Sequence, residues 1–208
     1  MNKERENFFE IAYSVSSAEE TRIMYDRWSE VYDEDLTNSN YQQPARCAAT
    51  LAHLCPDKQV KILDVGCGTG LSGLALHSEG YQNIDGCDLS NGMIEKADKL
   101  GIYSRLFACD LNQPPMEVQD ETYDALTAVG VFSFGHIMPE ALDELLRITK
   151  PGGIIIIGLN DHYYEEGTLT SKLEALEAEG ELAILSREHG EHIPANELKG
   201  WVLSMNKT

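Results

Sequence analysis

Three glycines at alternating positions, Gly66, Gly68 and Gly70, follow an apolar run that ends at Val65. Glycine has no side chain, so a ligand can approach the backbone of such a turn closely. A segment with apolar periodicity begins at Leu71, and the free N–H groups at the start of a helix point at whatever binds there. The stretch therefore predicts a strand, a ligand-binding turn and a helix, in that order.

A carboxylate, Asp88, closes the next predicted strand, 18 residues after Gly70. A carboxylate beside such a turn can accept two hydrogen bonds from a ribose diol, each worth roughly 1.5 to 3 kcal/mol. The dinucleotide fingerprint G-x-G-x-x-G fails at Leu71 when counted from Gly66, and it matches from Gly68 only two residues late. No Gly-Lys-Ser/Thr follows, so the turn is not a Walker phosphate loop. The residues predict a ribose-bearing ligand and leave its identity open.

Five short motifs, in a fixed order, cover about residues 60 to 160. They are Leu63 to Gly70, Asp88 to Ile94, Cys109 to Leu111, Tyr123 to Leu126 and Lys150 to Gly153. Together they resemble the class I S-adenosylmethionine-dependent methyltransferases. The aromatic pattern Tyr25-Asp26-x-Trp28-x-x-x-Tyr32-Asp33 extends the resemblance toward the methyltransferase-like proteins named for the Williams-Beuren syndrome chromosome region. The resemblance implies an enzyme that transfers a methyl group from S-adenosyl-L-methionine.

The resemblance also implies how the glycine turn meets this cofactor. Gly66, Cys67 and Gly68 would lie along its methionine part, with Asp64 near the amino group, directly or through water. Cys67 and Cys109 would contact the cofactor through the backbone as small residues, because the sequence shows no group that would activate either thiol.

The adenosine part of the cofactor would be held by residues of the next two motifs. Asp88 would bind the ribose hydroxyls, and Leu89 and Met93 would flank the adenine. Asp110 would accept a hydrogen bond from the adenine amino group, with Leu111 beside it. The alternative for Asp88 and Asp110 is an ordinary turn residue at a strand end, and the cofactor role is favoured for both.

The sulfonium end would lie near Val129 and Gly130. The helix that contains Tyr25, Trp28 and Tyr32 would close over the cofactor as a lid. The spacing of these aromatics, at i, i+3 and i+7, also fits a helix face that packs on the core, and on spacing alone that structural role is favoured.

A catalytic base is optional, because positioning alone can supply roughly 7 to 11 kcal/mol of the barrier when the acceptor is already reactive. The best candidate is His136, since histidine titrates near neutrality, and Asp161, His162 and Tyr163 follow the fifth strand. Arg46 is a candidate for the cofactor carboxylate, with a solvated helix arginine as the alternative.

The elements that must position these residues form an α/β pattern. Strands are predicted at 60–65, 82–88, 105–109, 123–129, 154–159, 181–188 and 201–205, and helices at 17–36, 43–54, 71–77, 92–100, 139–150 and 169–179. Alternation of this kind predicts a doubly wound, mostly parallel seven-stranded Rossmann-like sheet, with an antiparallel C-terminal strand and an N-terminal helical lid. We expect one methyltransferase domain over 1–208, with a helical cap at 1–55 and the core at 56–208.

Charge and cysteine usage limit the partners. Sixteen basic and 35 acidic residues give a net charge of −19, which disfavours nucleic acid and anionic membranes. We expect a small-molecule acceptor first and a basic protein second. We expect no metal, because the stretch Glu188 to His192 lacks a metal-binding pattern and fits a solvated loop.

Five cysteines without a C-x-x-C pair predict reduced, buried thiols in a cytoplasmic protein. A cofactor-binding module without methyl transfer remains the alternative function.

Overall fold

The computed structural model describes residues 18–28, 40–132 and 137–208, which form a layered α/β structure. Its strands are β1 (Ile62–Val65), β2 (Ile84–Asp88), β3 (Arg105–Ala108), β4 (Tyr123–Val129), β5 (Thr149–Asn160), β6 (Leu182–Ile193) and β7 (Leu198–Lys207). Its α-helices are α1 (Ala18–Trp28), α2 (Gln43–Leu54), α3 (Leu71–Ser78), α4 (Asn91–Asp98), α5 (Ala141–Ile148), α6 (Asp161–Glu166) and α7 (Thr168–Glu179). A 3₁₀ turn, Pro194–Asn196, joins β6 to β7.

The seven strands form one sheet in the order β3-β2-β1-β4-β5-β7-β6. The first five strands of this order pair in parallel, and β7 lies antiparallel between β5 and β6. The predicted fold is therefore confirmed, including the antiparallel C-terminal strand. The strand order reverses between β1 and β4, and in such sheets ligands bind outside the carboxyl ends of the strands at that point.

Strand β5 contributes apolar side chains to both faces of the sheet. Its successive isoleucines alternate between two separate cores: Ile155 and Ile157 pack with α5 and α7 residues on one face, and Ile156 packs with α2 residues on the other. A strand that is apolar at every position fits only a sheet with helices on both faces.

The ends of several elements differ from the prediction. Strand β5 begins at Thr149 and runs through Pro151-Gly152-Gly153, which had been expected to separate a helix from a strand. Most of the predicted polar loop before Trp201 belongs to β6 and β7. Helix α7 begins at Thr168 after Gly167, one residue before the predicted start at 169. The described residues between β3 and β4 contain no helix, as expected.

His192, near the end of β6, should make the stability of the hairpin formed by β6 and β7 depend on pH. Its side chain is buried, Nδ1 has no hydrogen-bond partner among the described residues, and the ring packs edge-on against Tyr41. Burial lowers the pKa of His192 to about 4, and the nearby charge of Arg46 adds to this shift. An unfolded histidine titrates near 6.5. The unfolded state therefore binds the proton more tightly, and the stabilisation present above pH 6.5 is lost as the pH falls toward 4.

We expect the wild-type protein to lose about 3 kcal/mol of unfolding free energy through this group between pH 7 and 4. The variant His192→Phe keeps a ring against Tyr41 and lacks the titrating group. Urea unfolding at a series of pH values measures the difference, because all other titrating groups are shared. Parallel pH profiles of the two proteins would contradict the assignment.

Candidate functional site

A cleft opens at the carboxyl ends of β1, β2, β3 and β4, where the strand order reverses. Its empty space is about 720 Å³ when the solvent in its open mouth is counted. It is lined by Gly66, Gly68, Cys87, Asp88, Leu89, Met93, Cys109, Asp110, Leu111, Asn112, Val129, Gly130, Val131 and Ile137. The structure thus brings together most of the residues that the sequence predicted.

The glycine turn exposes its backbone to this cleft. Gly66 and Gly68 have φ angles of +62° and +55°, which side chains rarely adopt. A Cβ on Gly66 would come within 2.5 Å of the Val131 side chain, whereas a Cβ on Gly68 would meet no described atom within 4 Å. Packing against Val131 explains why residue 66 must be glycine. The second leaves open space toward the cleft, which is the space that a ligand against bare backbone needs.

Asp88 lies at the end of β2 with its carboxylate fixed from both sides. Its Oδ2 accepts a hydrogen bond from the Gly68 N–H at 2.9 Å, and its Oδ1 accepts one from the Ser90 N–H at 2.9 Å. Burial raises the pKa of Asp88, while the hydrogen bonds of Ser90 and Gly68 oppose this shift. A carboxylate has about four acceptor sites, so two remain for a diol. The group is therefore oriented before any ligand binds.

Asp110 and Asn112 form the opposite wall of the cleft. Asp110 Oδ1 accepts from the Asn112 N–H at 2.9 Å, and Oδ2 accepts from Gln113 Nε2 at 2.6 Å. Asn112 Oδ1 in turn accepts from the Met138 N–H at 3.0 Å. This contact ties the loop after β3 to the loop before α5. Asn112 was not among the predicted site residues, and its position within a turn gave no signal for it.

Asp64 is fully buried below the turn, where Oδ2 accepts from Ser72 Oγ at 2.7 Å and from the Tyr103 hydroxyl at 2.8 Å, and Oδ1 accepts from Thr127 Oγ1 at 3.1 Å. Burial raises the pKa of Asp64 to about 6, although these hydroxyls oppose the shift. Asp64 does not line the cleft and supports the turn from inside. Its contact with the cofactor amino group, directly or through water, stays a prediction.

Arg46 links two elements. Its guanidinium donates to the backbone oxygens of Glu188, Glu191 and Gly200 at 2.9 to 3.1 Å. These bonds tie α2 to the β6–β7 hairpin, and Arg46 is not among the residues that line the cleft. Its contact with the cofactor carboxylate stays a prediction. Cys67 is buried and does not line the cleft, although both neighbouring glycines do.

Helix α1 is anchored beside the cleft through a residue that the sequence analysis gave no role. Asp26 Oδ1 accepts from Ser90 Oγ at 2.5 Å and from the Gly92 N–H at 3.2 Å, at the start of α4. The same Ser90 donates its N–H to Asp88. Tyr25 and Trp28 belong to α1, and Tyr32 lies outside the described residues. The lid therefore stays a prediction, with its helix placed next to Asp88.

The sulfonium end of the cofactor is predicted to lie near Gly130, and the structure places Tyr41 beside this glycine. The Tyr41 hydroxyl lies 2.9 Å from the point where a side chain on Gly130 would begin. The candidate base His136 lies outside the described residues, so its role stays a prediction.

Of the other candidate bases after β5, Asp161 contacts His189 Nε2 at 3.0 Å, and Tyr163 is buried. The stretch Glu188 to His192 belongs to β6 and not to a loop, which corrects that expectation.

Comparison with known proteins agrees with this fold and site. Residues 62–153 match the family model described as a methyltransferase domain. The chain is 34% identical over 175 residues to human methyltransferase-like protein 27, covering 81% of this chain and 71% of that protein. It is 35% identical over 141 residues to the demethylmenaquinone methyltransferase of Clavibacter sepedonicus, covering 64% of this chain and 55% of that one.

Solved structures share the architecture at lower identity. The [4+2]-cyclase SpnF has a TM-score of 0.68 with 19% identity, covering 93% of this chain and 97% of its own. A methyltransferase-type structure from Haloferax volcanii, solved with the activator Trm112, has a TM-score of 0.67 with 18% identity, covering 88% and 96%. These likenesses concern the fold alone, and the cyclase shows that the fold itself does not fix the reaction.

The chain belongs to the class I S-adenosylmethionine-dependent methyltransferases. The cofactor that this membership implies is S-adenosyl-L-methionine, and the bare turn with two carboxylates at strand ends fits its backbone-bound and ribose-bearing parts. Within the described residues, no helix is long and apolar enough to cross a membrane.

Proposed function

We propose that the chain transfers the methyl group of S-adenosylmethionine to a small-molecule acceptor. A second hollow carries this proposal, because it shares Ile137 with the cofactor cleft. Its other walls come from the loop before α5, with Met138 and Pro139, and from α6, with Tyr163 and Glu166. A molecule held there would lie beside the cleft, because Ile137 lines both.

The charge around this hollow favours a neutral or cationic acceptor. Glu140 and Glu166 lie in its lining. Among the described residues that line it, the one cation is Lys172, which is paired with Asp143 at 2.7 Å. An anionic acceptor would meet unbalanced negative charge here, and the net charge of −19 acts in the same direction at long range.

For the cofactor, we propose the arrangement that the cleft geometry supports. Asp88 holds the ribose hydroxyls, and Leu89 and Met93 flank the adenine. Asp110 accepts from the adenine amino group, with Leu111 beside it. The support is that all five residues line one cleft, with both carboxylates oriented by neighbouring N–H groups.

When bound, the cofactor supplies a methyl group on a positively charged sulfur. The acceptor's nucleophile must reach this carbon in line, which requires the two ligands to be held in adjacent sites. In this proposal Gly66 and Gly68 let the methionine part lie against the backbone, and the ends of β4 and β5 position the sulfonium. His136 stays a candidate base.

The proposal is tested by methyl transfer to fractionated extract. Protein, tritiated S-adenosylmethionine and cell extract are incubated, and ultrafiltration then separates small molecules from macromolecules. We expect label in the small-molecule fraction. The variant Glu166→Gln should lower this transfer several-fold at limiting acceptor, whereas Glu165→Gln, on the same helix outside the hollow, should not.

Label in the protein or nucleic-acid fraction would contradict the small-molecule acceptor. Bound S-adenosylhomocysteine without transfer to any fraction would favour a cofactor-binding module instead.

A further inference from the structure

The start of α4 is held by a carboxylate from a distant part of the chain. Asp26, in α1, accepts a hydrogen bond from Ser90 Oγ at 2.5 Å and one from the Gly92 N–H at 3.2 Å, both through Oδ1. These two bonds are called the Asp26 contact below. Among the described elements, α1 packs mainly on α4. The Asp26 contact therefore lies in the main interface of this helix.

Ser90 makes three hydrogen bonds at the start of α4. It is buried, with 1% of its surface exposed. As the N-cap of α4, its Oγ accepts from the Met93 N–H at 3.1 Å, and its own N–H donates to Asp88 Oδ1 at 2.9 Å. Its hydroxyl hydrogen is donated to Asp26. Because a buried hydroxyl that loses its acceptor is destabilising, the Asp26 contact completes the hydrogen bonding of this cap.

The residues next to Ser90 in sequence line the cofactor cleft. They are Asp88, Leu89 and Met93. Side chains of a binding site keep their geometry to within about 0.5 Å only when surrounding hydrogen bonds and packing fix them. A shift of Ser90 would move the Asp88 carboxylate and the Met93 side chain relative to the cleft. Asp26 is not among the residues that line the cleft, so its effect on a ligand there must pass through these neighbours.

The charge of Asp26 acts in the opposite direction to its hydrogen bonds. Burial raises the pKa of Asp88, and the negative charge of Asp26 adds to this shift. The charge therefore disfavours the ionised form of Asp88, which is the stronger hydrogen-bond acceptor. An asparagine at position 26 keeps an acceptor oxygen for Ser90 and Gly92 but carries no charge. Comparison of Asp26→Asn with Asp26→Ala thus separates the hydrogen bonds from the charge.

We propose that Asp26 is a positioning residue of the cofactor cleft, so that docking of α1 on α4 and binding of the cofactor strengthen each other. If the Asp26 contact holds Asp88 and Met93 in their binding positions, bound cofactor must in turn hold α1 on α4, because such coupling is reciprocal. This role differs from that of the predicted lid, whose aromatic side chains would touch the cofactor themselves. The proposal rests on the proposed cofactor site.

The first test is calorimetric titration with S-adenosylhomocysteine. Asp26→Ala should weaken binding about five- to tenfold, within the usual range of such couplings. Asp26→Asn should bind as tightly as wild type, because it keeps the acceptor. Ile23→Ala, which shortens an exposed side chain of the same helix, is the control and should change nothing. Ser90→Ala should also weaken binding, and adding Asp26→Ala to it should have little further effect, since both remove the same bond.

Hydrogen exchange followed by mass spectrometry measures the coupling in the other direction. Saturating S-adenosylhomocysteine should slow exchange of the α1 amides several-fold in wild type and in Ile23→Ala. In Asp26→Ala this ligand effect should be absent. Thermal unfolding without ligand should give similar midpoints for all variants, because Asp26 contacts the start of α4 and not the sheet.

Equal affinity of wild type and Asp26→Ala would overturn the positioning role, and so would additive effects of Asp26→Ala and Ser90→Ala. Equal losses in Asp26→Asn and Asp26→Ala would also overturn it, because the charge and not the hydrogen bonds would then be responsible. The proposed function fails in a different way. If wild-type protein does not bind S-adenosylhomocysteine, both the cofactor site and the coupling are wrong, whereas normal binding by Asp26→Ala leaves the cofactor site intact.

Discussion

Replacing Asp88 by alanine is expected to weaken the binding of S-adenosylhomocysteine at least tenfold. The carboxylate is the group proposed to hold the ribose diol, and hydrogen bonds to a charged acceptor contribute roughly 1.5 to 3 kcal/mol each. The substitution also releases the Gly68 and Ser90 N–H groups that orient the turn and α4. Isothermal titration calorimetry of wild type and variant measures the change in dissociation constant.

The matched control is Asp98→Ala, which removes an exposed carboxylate at the end of α4, outside the cleft. It should leave the affinity unchanged. Thermal unfolding of both variants shows whether the fold is kept. An unchanged affinity in Asp88→Ala would remove this residue from the site.

Tyr103 is the second residue for which a large effect is expected, in this case on stability. Its ring fills the space beside three glycines: a Cβ on Gly70, Gly73 or Gly86 would lie 3.4, 2.4 or 2.9 Å from the nearest ring carbon. Its hydroxyl donates to the buried Asp64 carboxylate at 2.8 Å. We expect Tyr103→Ala to lower the unfolding free energy by about 3 to 5 kcal/mol, measured by urea denaturation, since it leaves both a cavity and a less satisfied carboxylate.

Tyr103→Phe separates the hydroxyl from the ring, and its effect depends on pH. The folded pKa of Asp64 is raised to about 6, above its ordinary value of 3.8, so the folded state binds the proton more tightly. Stability in this respect is highest at low pH and falls as the pH rises from about 4 through 6. Without the Tyr103 hydroxyl the pKa rises further. The loss in Tyr103→Phe should therefore be larger at pH 8 than at pH 5, and an equal loss would contradict the hydrogen bond.

The sequence was informative where spacing and chemistry are coupled. The glycine turn, Asp88 and Asp110 could be located because strand ends of a parallel sheet meet at one edge, so residues distant in sequence converge there. The isoleucine run of β5 likewise could fit only a strand covered on both faces.

The sequence was less informative about which polar residues face inward. Asp64 belongs to the same motif as Gly66, and nothing in the spacing showed that its partners would be Ser72, Tyr103 and Thr127 from three other segments. Tyr103 itself has no motif around it. Its role arises from the glycines that it contacts, which lie in three different elements.

The connecting part of the C-terminal hairpin, between the predicted strands 181–188 and 201–205, was mistaken for a loop for a related reason. Most of β6 is exposed or partly exposed and rich in charged residues, because it is an edge strand and needs no continuous apolar face. Three of the acceptors of Arg46 are backbone oxygens of β6 and β7. Backbone acceptors are present in every sequence and leave no compositional signal.

We propose that the cleft above Gly66, Gly68 and Asp88 binds S-adenosylmethionine and not a dinucleotide. Isothermal titration of the wild-type protein with S-adenosylhomocysteine, and in parallel with NAD, measures this preference. We predict saturable binding of S-adenosylhomocysteine with one site per chain and no heat of binding for NAD. Binding of NAD, or no binding of S-adenosylhomocysteine at millimolar ligand, would show that the cleft is not a site for S-adenosylmethionine.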